Sequence, residues 1–149
     1  MRVVARAEEK VKPLAALGAE VRTGSLHDPA FLTSAFRGAT AAYVLTALDV
    51  KAPDVNTDQY PKAESIVSAV RDAGVGHVVF LSSWGAELSA KSGGVVGCHR
   101  LEQLLDETPG LNVVHLRSVW FMENFLWNIG LIKMAGINGL AIRADLHFR

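Results

Sequence analysis

A parallel, doubly wound α/β sheet that lacks its first strand–helix unit is the fold this sequence predicts, and three observations lead there. From the second residue, short β-branched runs alternate with stretches of helical periodicity, the pattern of βαβ units in a parallel sheet. Glycines close the helical stretches at Gly18 and Gly74, where a C-terminal cap is needed. No glycine-rich turn precedes or follows the first strand, although the first strand-to-helix turn of such a sheet is where glycine allows close approach to a helix N-terminus. Arg2 to Arg6 therefore reads as a second strand.

Taken in order, Glu8 to Leu17 has helical character with acidic residues first, Pro13 being a blemish near its first turn. Ala19 to Thr23 alternates as a strand. His27-Asp28-Pro29 supplies an N-cap followed by proline at the first helical position, and Phe31, Leu32, Ala35 and Phe36 recur at helical spacing. Ala41 to Thr46 is nearly continuously apolar, as a strand covered on both faces would be. A polar loop, Ala47 to Thr57, leads to a helix over Asp58 to Ala73 with Ile66, Val67, Val70 and Ala73 on one face. His77 to Leu81 is the next buried strand, and Ser82-Ser83-Trp84-Gly85 leaves its carboxyl end, the edge where open α/β sheets place ligands. After a loop at Ser92-Gly93-Gly94, Cys98 to Glu107 reads as a helix, Leu111 to Leu116 as a strand and Phe121 to Ala135 as a helix.

The 149 residues suit one domain, half of them apolar. Lys plus Arg and Asp plus Glu balance at 15 each, so no global field favours nucleic acid, acidic polymers or an anionic membrane. The single Cys98 cannot form an internal disulfide and no secretory leader is recognisable, which sets a cytoplasmic expectation. Phe121 to Ile142, the most apolar stretch, is interrupted by Glu123, Asn124, Lys133 and Asn138, short of the roughly 20 clean residues a membrane span requires. It reads as a buried or amphipathic helix with a short segment after it.

Arg6 sits where a strand ends and a helix is about to begin. An Arg there either pairs with a ribose 2′-phosphate, which favours NADP over NAD, or is an ordinary solvated side chain. Ser82 and Ser83 either position a substrate carbonyl or cofactor, or form a turn. No Tyr is followed four residues later by Lys downstream, so the usual pair for protonating an alkoxide is missing. His99 is the nearest replacement acid, against a surface or capping role, and the catalytic residue stays unassigned. Cys98 has no metal-ligand neighbours at suitable spacing, and no metal site is expected. It is an inert buried thiol or a nucleophile activated by His99. Trp84, Trp120 and Trp127 line a pocket or fill the core. The last two, seven apart on one predicted helix face, suit core packing.

Together these residues resemble the NmrA-like branch of the atypical short-chain dehydrogenases/reductases, which have NAD(P)-binding Rossmann folds. The resemblance lies in Val-Ala-Arg6, Gly-Ala-Glu-Val-Arg-Thr-Gly-Ser-Leu-His-Asp28, Tyr-Val-Leu-Thr46, Ala-Gly-Val-Gly-His-Val-Val-Phe-Leu-Ser-Ser83, His-Arg-Leu-Glu-Gln103 and above all Leu-Arg-Ser-Val-Trp-Phe-Met-Glu-Asn124. It implies that Arg6 and Lys10 read the 2′-phosphate, that Ser25 and Leu26 flank the adenine, and that Thr46, Ala47 and Leu48 follow the ribose and pyrophosphate. Phe121, Met122, Glu123 and Asn124 would lie near the nicotinamide. Three departures stand out: Ser25 replaces the family's usual Asp, no Lys lies near Cys98, and the Gly-rich first βα unit and the C-terminal region are expected to be missing.

The resemblance implies one NAD(P)-binding domain over residues 1–149, binding NADP or NAD and derived from an oxidoreductase that passes hydride to a small acceptor such as a quinone. Alternatives are a regulatory module that senses NADP(H) and acts through a protein partner, and a truncated product without activity of its own. In the usual strand order the missing strand lies between those at Arg2 and Ala41. Its neighbours would lose ladder partners at about 1–3 kcal/mol per buried unpaired group, against roughly 5–15 kcal/mol for a whole domain. The chain is therefore expected to re-pair its strands, borrow one from a partner or be less stable than its relatives, and direct pairing of the strands at 2–6 and 41–46 in an intact sheet would overturn this strand order.

Overall fold

A computed structural model describes residues 1–49, 52–89, 93–119, 121–137 and 139, and of 55–57 the backbone only. The chain divides into two compact units, Met1–Arg117 and Ser118–Arg149.

In the first unit the strands are β1 (Arg2–Ala5), β2 (Glu20–Thr23), β3 (Ala41–Leu45), β4 (His77–Ser83) and β5 (Asn112–Ser118), the last ending one residue into the second unit. They form two sheets, β1–β2 and β3–β4–β5, and the β1–β2 and β3–β4 pairs are parallel. Arg2 is in register with Glu20, and Ala41 with His77. As expected, β1 and β3 are not hydrogen-bonded neighbours.

The helices are α1 (Lys12–Ala16), α2 (Pro29–Phe36), α3 (Val55–Asp72) and α4 (Val96–Asp106). The expected helix at 8–17 is split: a 3₁₀ turn over Glu8–Val11 precedes α1, and Pro13 falls in the first turn of α1, where its missing N–H costs nothing. Gly18 and Gly74 follow α1 and α3 in the left-handed region. Asp28 caps α2 as predicted, its side chain accepting the Phe31 N–H at 3.0 Å. The third helix starts at Val55 instead of Asp58, and the fourth at Val96 instead of Cys98. A 3₁₀ turn occupies Gly93–Val95, and Ser92 of the predicted loop lies outside the described residues.

The core joins Leu32 of α2, Ile66 and Val70 of α3, and Leu101 and Leu105 of α4 to Val44, Val78 and Phe80 of the sheet. Gly97 sets the approach of α4 to α3, because a Cβ there would come within 2.6 Å of the Gln59 Cβ. One expectation fails. Ala41–Leu45 is covered on one face only, with Val44 buried but Tyr43 59% and Leu45 44% exposed. Packing α2, α3 and α4 into a single core cluster buries alternate strand residues and leaves the intervening ones outward.

At the sheet margin Arg2 bonds Glu20 at 3.0 Å and donates to the carbonyls of Ala35 and Arg37, tying β1 to the end of α2. The second unit holds a 3₁₀ helix, Met122–Trp127, and α5 (Asn128–Ala135), which ends at Gly136. The helix expected over Phe121–Ala135, read as buried or amphipathic, is thus two elements whose apolar side chains, Phe121, Met122, Leu126, Trp127 and Met134 among them, are exposed. Trp127 does not fill a core, and Trp120 lies outside the described residues. No described helix is long and apolar enough to cross a membrane.

Candidate functional site

The loops leaving the carboxyl ends of β1, β2 and β3 meet at a cavity of about 160 Å³. Arg6 comes from the first loop, Ser25, Leu26 and His27 from the second, Ala47 and Asp49 from the third, and Asp58 and Lys62 from α3. Four residues that the sequence nominated from three separate segments, Arg6, Ser25, Leu26 and Ala47, share this one wall. Among the described residues Arg6 makes no hydrogen bond or ion pair, and it is exposed, which is compatible with either of the two roles the sequence offers it.

His27, Asp58 and Lys62 were not nominated. Lys62 is nearly buried, with 6% of its side chain exposed; it donates to the Ala47 carbonyl at 2.8 Å and to Asp58 Oδ2 at 2.5 Å. His27 Nε2 lies 3.1 Å from Asp58 Oδ1. The Lys62 hydrogen bond, which outweighs burial and is aided by His27, holds the Asp58 carboxyl below its ordinary range. The Asp58–Lys62 pair has the i,i+4 spacing that a sequence can show. His27, 31 residues away from Asp58, gives no such signal.

The other nominated residues lie elsewhere. Lys10 is exposed on the 3₁₀ turn after β1 and does not line the cavity. The Thr46 hydroxyl is 3.7 Å from the Cys98 sulfur, and burial pushes that thiol up, opposed by the Thr46 contact. Leu48 is exposed, and a Cβ at Gly94 would lie 3.2 Å from its side chain. Ser82 is buried and donates to Glu102 Oε1 at 2.6 Å, while Ser83 donates to the Trp84 carbonyl at 3.2 Å. Phe121 precedes the 3₁₀ helix of the second unit, whose first residues are Met122, Glu123 and Asn124.

Beneath Ser82 is an ion pair that the sequence did not nominate. Arg117 grips Glu102 with two hydrogen bonds, at 3.0 and 2.6 Å. Burial alone would push the Glu102 carboxyl up, but the bonds from Arg117 and Ser82 prevail and hold it below its ordinary range. His99 Nδ1 lies 2.7 Å from the Ala86 carbonyl, which can only accept, so Nδ1 carries the proton and His99 ties the β4–α4 loop to α4. Among the described residues, no group of three His, Cys, Asp or Glu side chains is placed to hold a metal ion.

Strand carboxyl ends that meet at a mixed-charge cavity are where an open α/β protein places its ligands. Comparison with known proteins identifies the class more narrowly. The chain belongs to the NAD(P)H-binding family, which matches residues 1–124. Among solved structures it is similar to the NADPH-dependent quinone oxidoreductase of Escherichia coli in complex with NADPH, at 25% identity and a TM-score of 0.75 over 91% of this chain and 45% of that one. It is also similar to the triphenylmethane reductase of Citrobacter sp. complexed with NADP(H), at 27% identity and a TM-score of 0.71 over 83% of this chain and 42% of that one. A nucleoside-diphosphate-sugar epimerase from Staphylococcus aureus shares the fold, at 20% identity and a TM-score of 0.71 over 89% of this chain and 46% of that one. The chain spans less than half the length of each. No curated protein matches it.

Proposed function

We propose that this chain binds NADPH through the cavity between Arg6 and Ala47 and forms the cofactor-holding part of a reductase acting on a small acceptor such as a quinone. The observation that carries the reading is the convergence of Arg6, Ser25, Leu26 and Ala47 on one cavity. The solved structures at 25% and 27% identity, both described as complexes with NADPH or NADP(H), agree with it.

The residues suit the adenosine end of such a molecule. The unpaired guanidinium of Arg6 matches a 2′-phosphate in charge and fork geometry. Leu26 offers an apolar surface to a base. Ser25 Oγ accepts the His27 N–H at 3.1 Å, which fixes the loop that carries both. NADPH, when bound, supplies the hydride, so the missing Tyr and Lys pair does not exclude reduction.

A second reading, an NADP(H) sensor without turnover, is favoured by one observation. The hydroxyls of Ser82 and Ser83 are both committed within the chain, to Glu102 and to the Trp84 carbonyl, instead of being held out to an acceptor.

The test is a titration with NADPH and NADH followed by NADPH oxidation with a panel of quinones. NADPH is expected to bind more tightly, and Arg6→Ala to weaken NADPH by about tenfold or more while changing NADH little. Binding with turnover supports the reductase; binding without turnover supports the sensor. No binding of either nucleotide defeats both.

A further inference from the structure

Four of the five strands have an edge without a strand partner among the described residues, and those edges differ in charge. On β2 stand Glu20 and Arg22, and on β5 stand His115 and Arg117, the polar guards that keep an exposed edge from pairing. Val3 to Ala5 of β1 and Ala41 to Leu45 of β3 include no charged residue. The charge of Arg2, at the start of β1, is taken up by Glu20 and two backbone carbonyls. We propose that β1 and β3 bound a slot for one parallel strand, which an extended, uncharged segment of another polypeptide enters.

The two unguarded edges belong to one slot because both ends of the strands are tied together. At the start, Arg2 of β1 donates to the Arg37 carbonyl at 3.0 Å, shortly before β3 opens at Ala41. At the carboxyl ends, Arg6 and Ala47 line the same cavity. Val4 packs against the core cluster that holds Val44. The strands thus run side by side, in one direction and over one core, without being hydrogen-bonded to each other. One further strand, at the usual spacing of about 4.8 Å from each neighbour, completes both ladders.

The backbone of β1 is turned to receive it. The carbonyls of Met1 and Ala5 accept the N–H groups of Glu20 and Gly24 on the β2 side, so the N–H and C=O of Val4, which alternates with Ala5, point to the other edge.

The occupant follows from its own bonding. A strand in the slot is paired on both sides, whereas each described strand of a second copy has at least one edge already taken. A second copy covers one edge but does not fill the slot. What fits is an unpaired extended segment of about the four to five residues that β1 and β3 span. It is apolar on the side that meets Val4 and Val44, and it has no charged residue where it lies between two uncharged strands.

The experiment titrates the full chain with a fluorescein-labelled peptide, a run of valines and isoleucines between lysines, and with the same peptide carrying proline at its centre. Proline lacks the N–H that a ladder needs, so fluorescence anisotropy is expected to show the unbroken peptide binding at least about tenfold more tightly. Hydrogen exchange at the Val4 amide, read by NMR, is expected to slow by about tenfold or more when that peptide is bound. Val4→Pro, tolerated on an edge whose N–H has no partner, is expected to abolish the binding. Should Val4→Pro unfold, the two peptides on the unaltered chain decide the matter alone. Equal affinities of the two peptides overturn the proposal, since they mean apolar adhesion without strand pairing. Failure of both to bind overturns it, as does binding that leaves the Val4 amide unprotected. A Val4 amide that already exchanges slowly in the chain alone overturns it too, because the slot is then filled by the chain itself or by a second copy. None of these outcomes touches the NADPH reading, which its own titration decides.

Discussion

The two faces of the three-stranded sheet have similar apolar sequences and opposite fates. On one, Val44, Val78 and Phe80 are buried beneath α3 and α4; on the other, Tyr43, Leu45, Val114 and Leu116 are exposed. In the β3–β4 register Val44 stands opposite Phe80, and the pairs Tyr43–Val79 and Leu45–Leu81 lie on either side. An apolar run therefore reports that a strand is fit for burial, while the helices decide which half of its side chains achieve it.

The comparison can be broken most directly through its largest side chain. Phe80→Ala is expected to cost about 3–5 kcal/mol, whereas Leu116→Ala, on the open face, should stay within about 0.5–1 kcal/mol, both read from urea unfolding midpoints. Equal costs would mean that the open face is covered in solution.

A smaller effect tests the carboxyl end of the covered face, where Ser82, Glu102 and Arg117 meet. Arg117→Ala leaves the buried Glu102 carboxylate with Ser82, and a cost of about 2–3 kcal/mol at neutral pH is expected, reduced from the buried-pair range because 43% of the Arg117 side chain is exposed. Because Glu102 is held below its ordinary value, its contribution is fully present above about pH 4.3 and is lost as pH falls through the lower folded value. Without Arg117, burial raises the folded value, so acid unfolding should begin at a higher pH. An unchanged acid-unfolding curve would show that the pair does not stabilise the covered face.

Smallest is the cap of α2. Asp28→Ala should cost about 1 kcal/mol in thermal or urea unfolding, and a much larger loss would show that the α2 contribution to the core depends on its first turn.

Local signals made much of this fold legible. Asp28 and Pro29 start a helix by chemistry confined to four residues, and Gly18 and Gly74 end theirs in the left-handed region. The separation of β1 from β3 was also legible, because it follows from strand order. What local pattern could not supply was cover. The sequence suggests burial on both faces of Ala41–Thr46 and a buried or amphipathic helix over Phe121–Ala135, yet Tyr43, Leu45 and the apolar side chains from Phe121 to Met134 are exposed, since burial depends on a partner element that no local period encodes. The site divides the same way. Resemblance placed Arg6, Ser25, Leu26 and Ala47 near one another, whereas the bonds from His27 to Asp58 and from Arg117 to Glu102 join residues 31 and 15 apart and leave no mark on either segment.

The contact between Cys98 and Thr46 joins the first turn of α4 to the end of β3, and burial pushes the thiol up while leaving it partly exposed. The thiolate is the reactive form, so this cysteine is a slow nucleophile whose labelling by a maleimide reports on the packing at that junction.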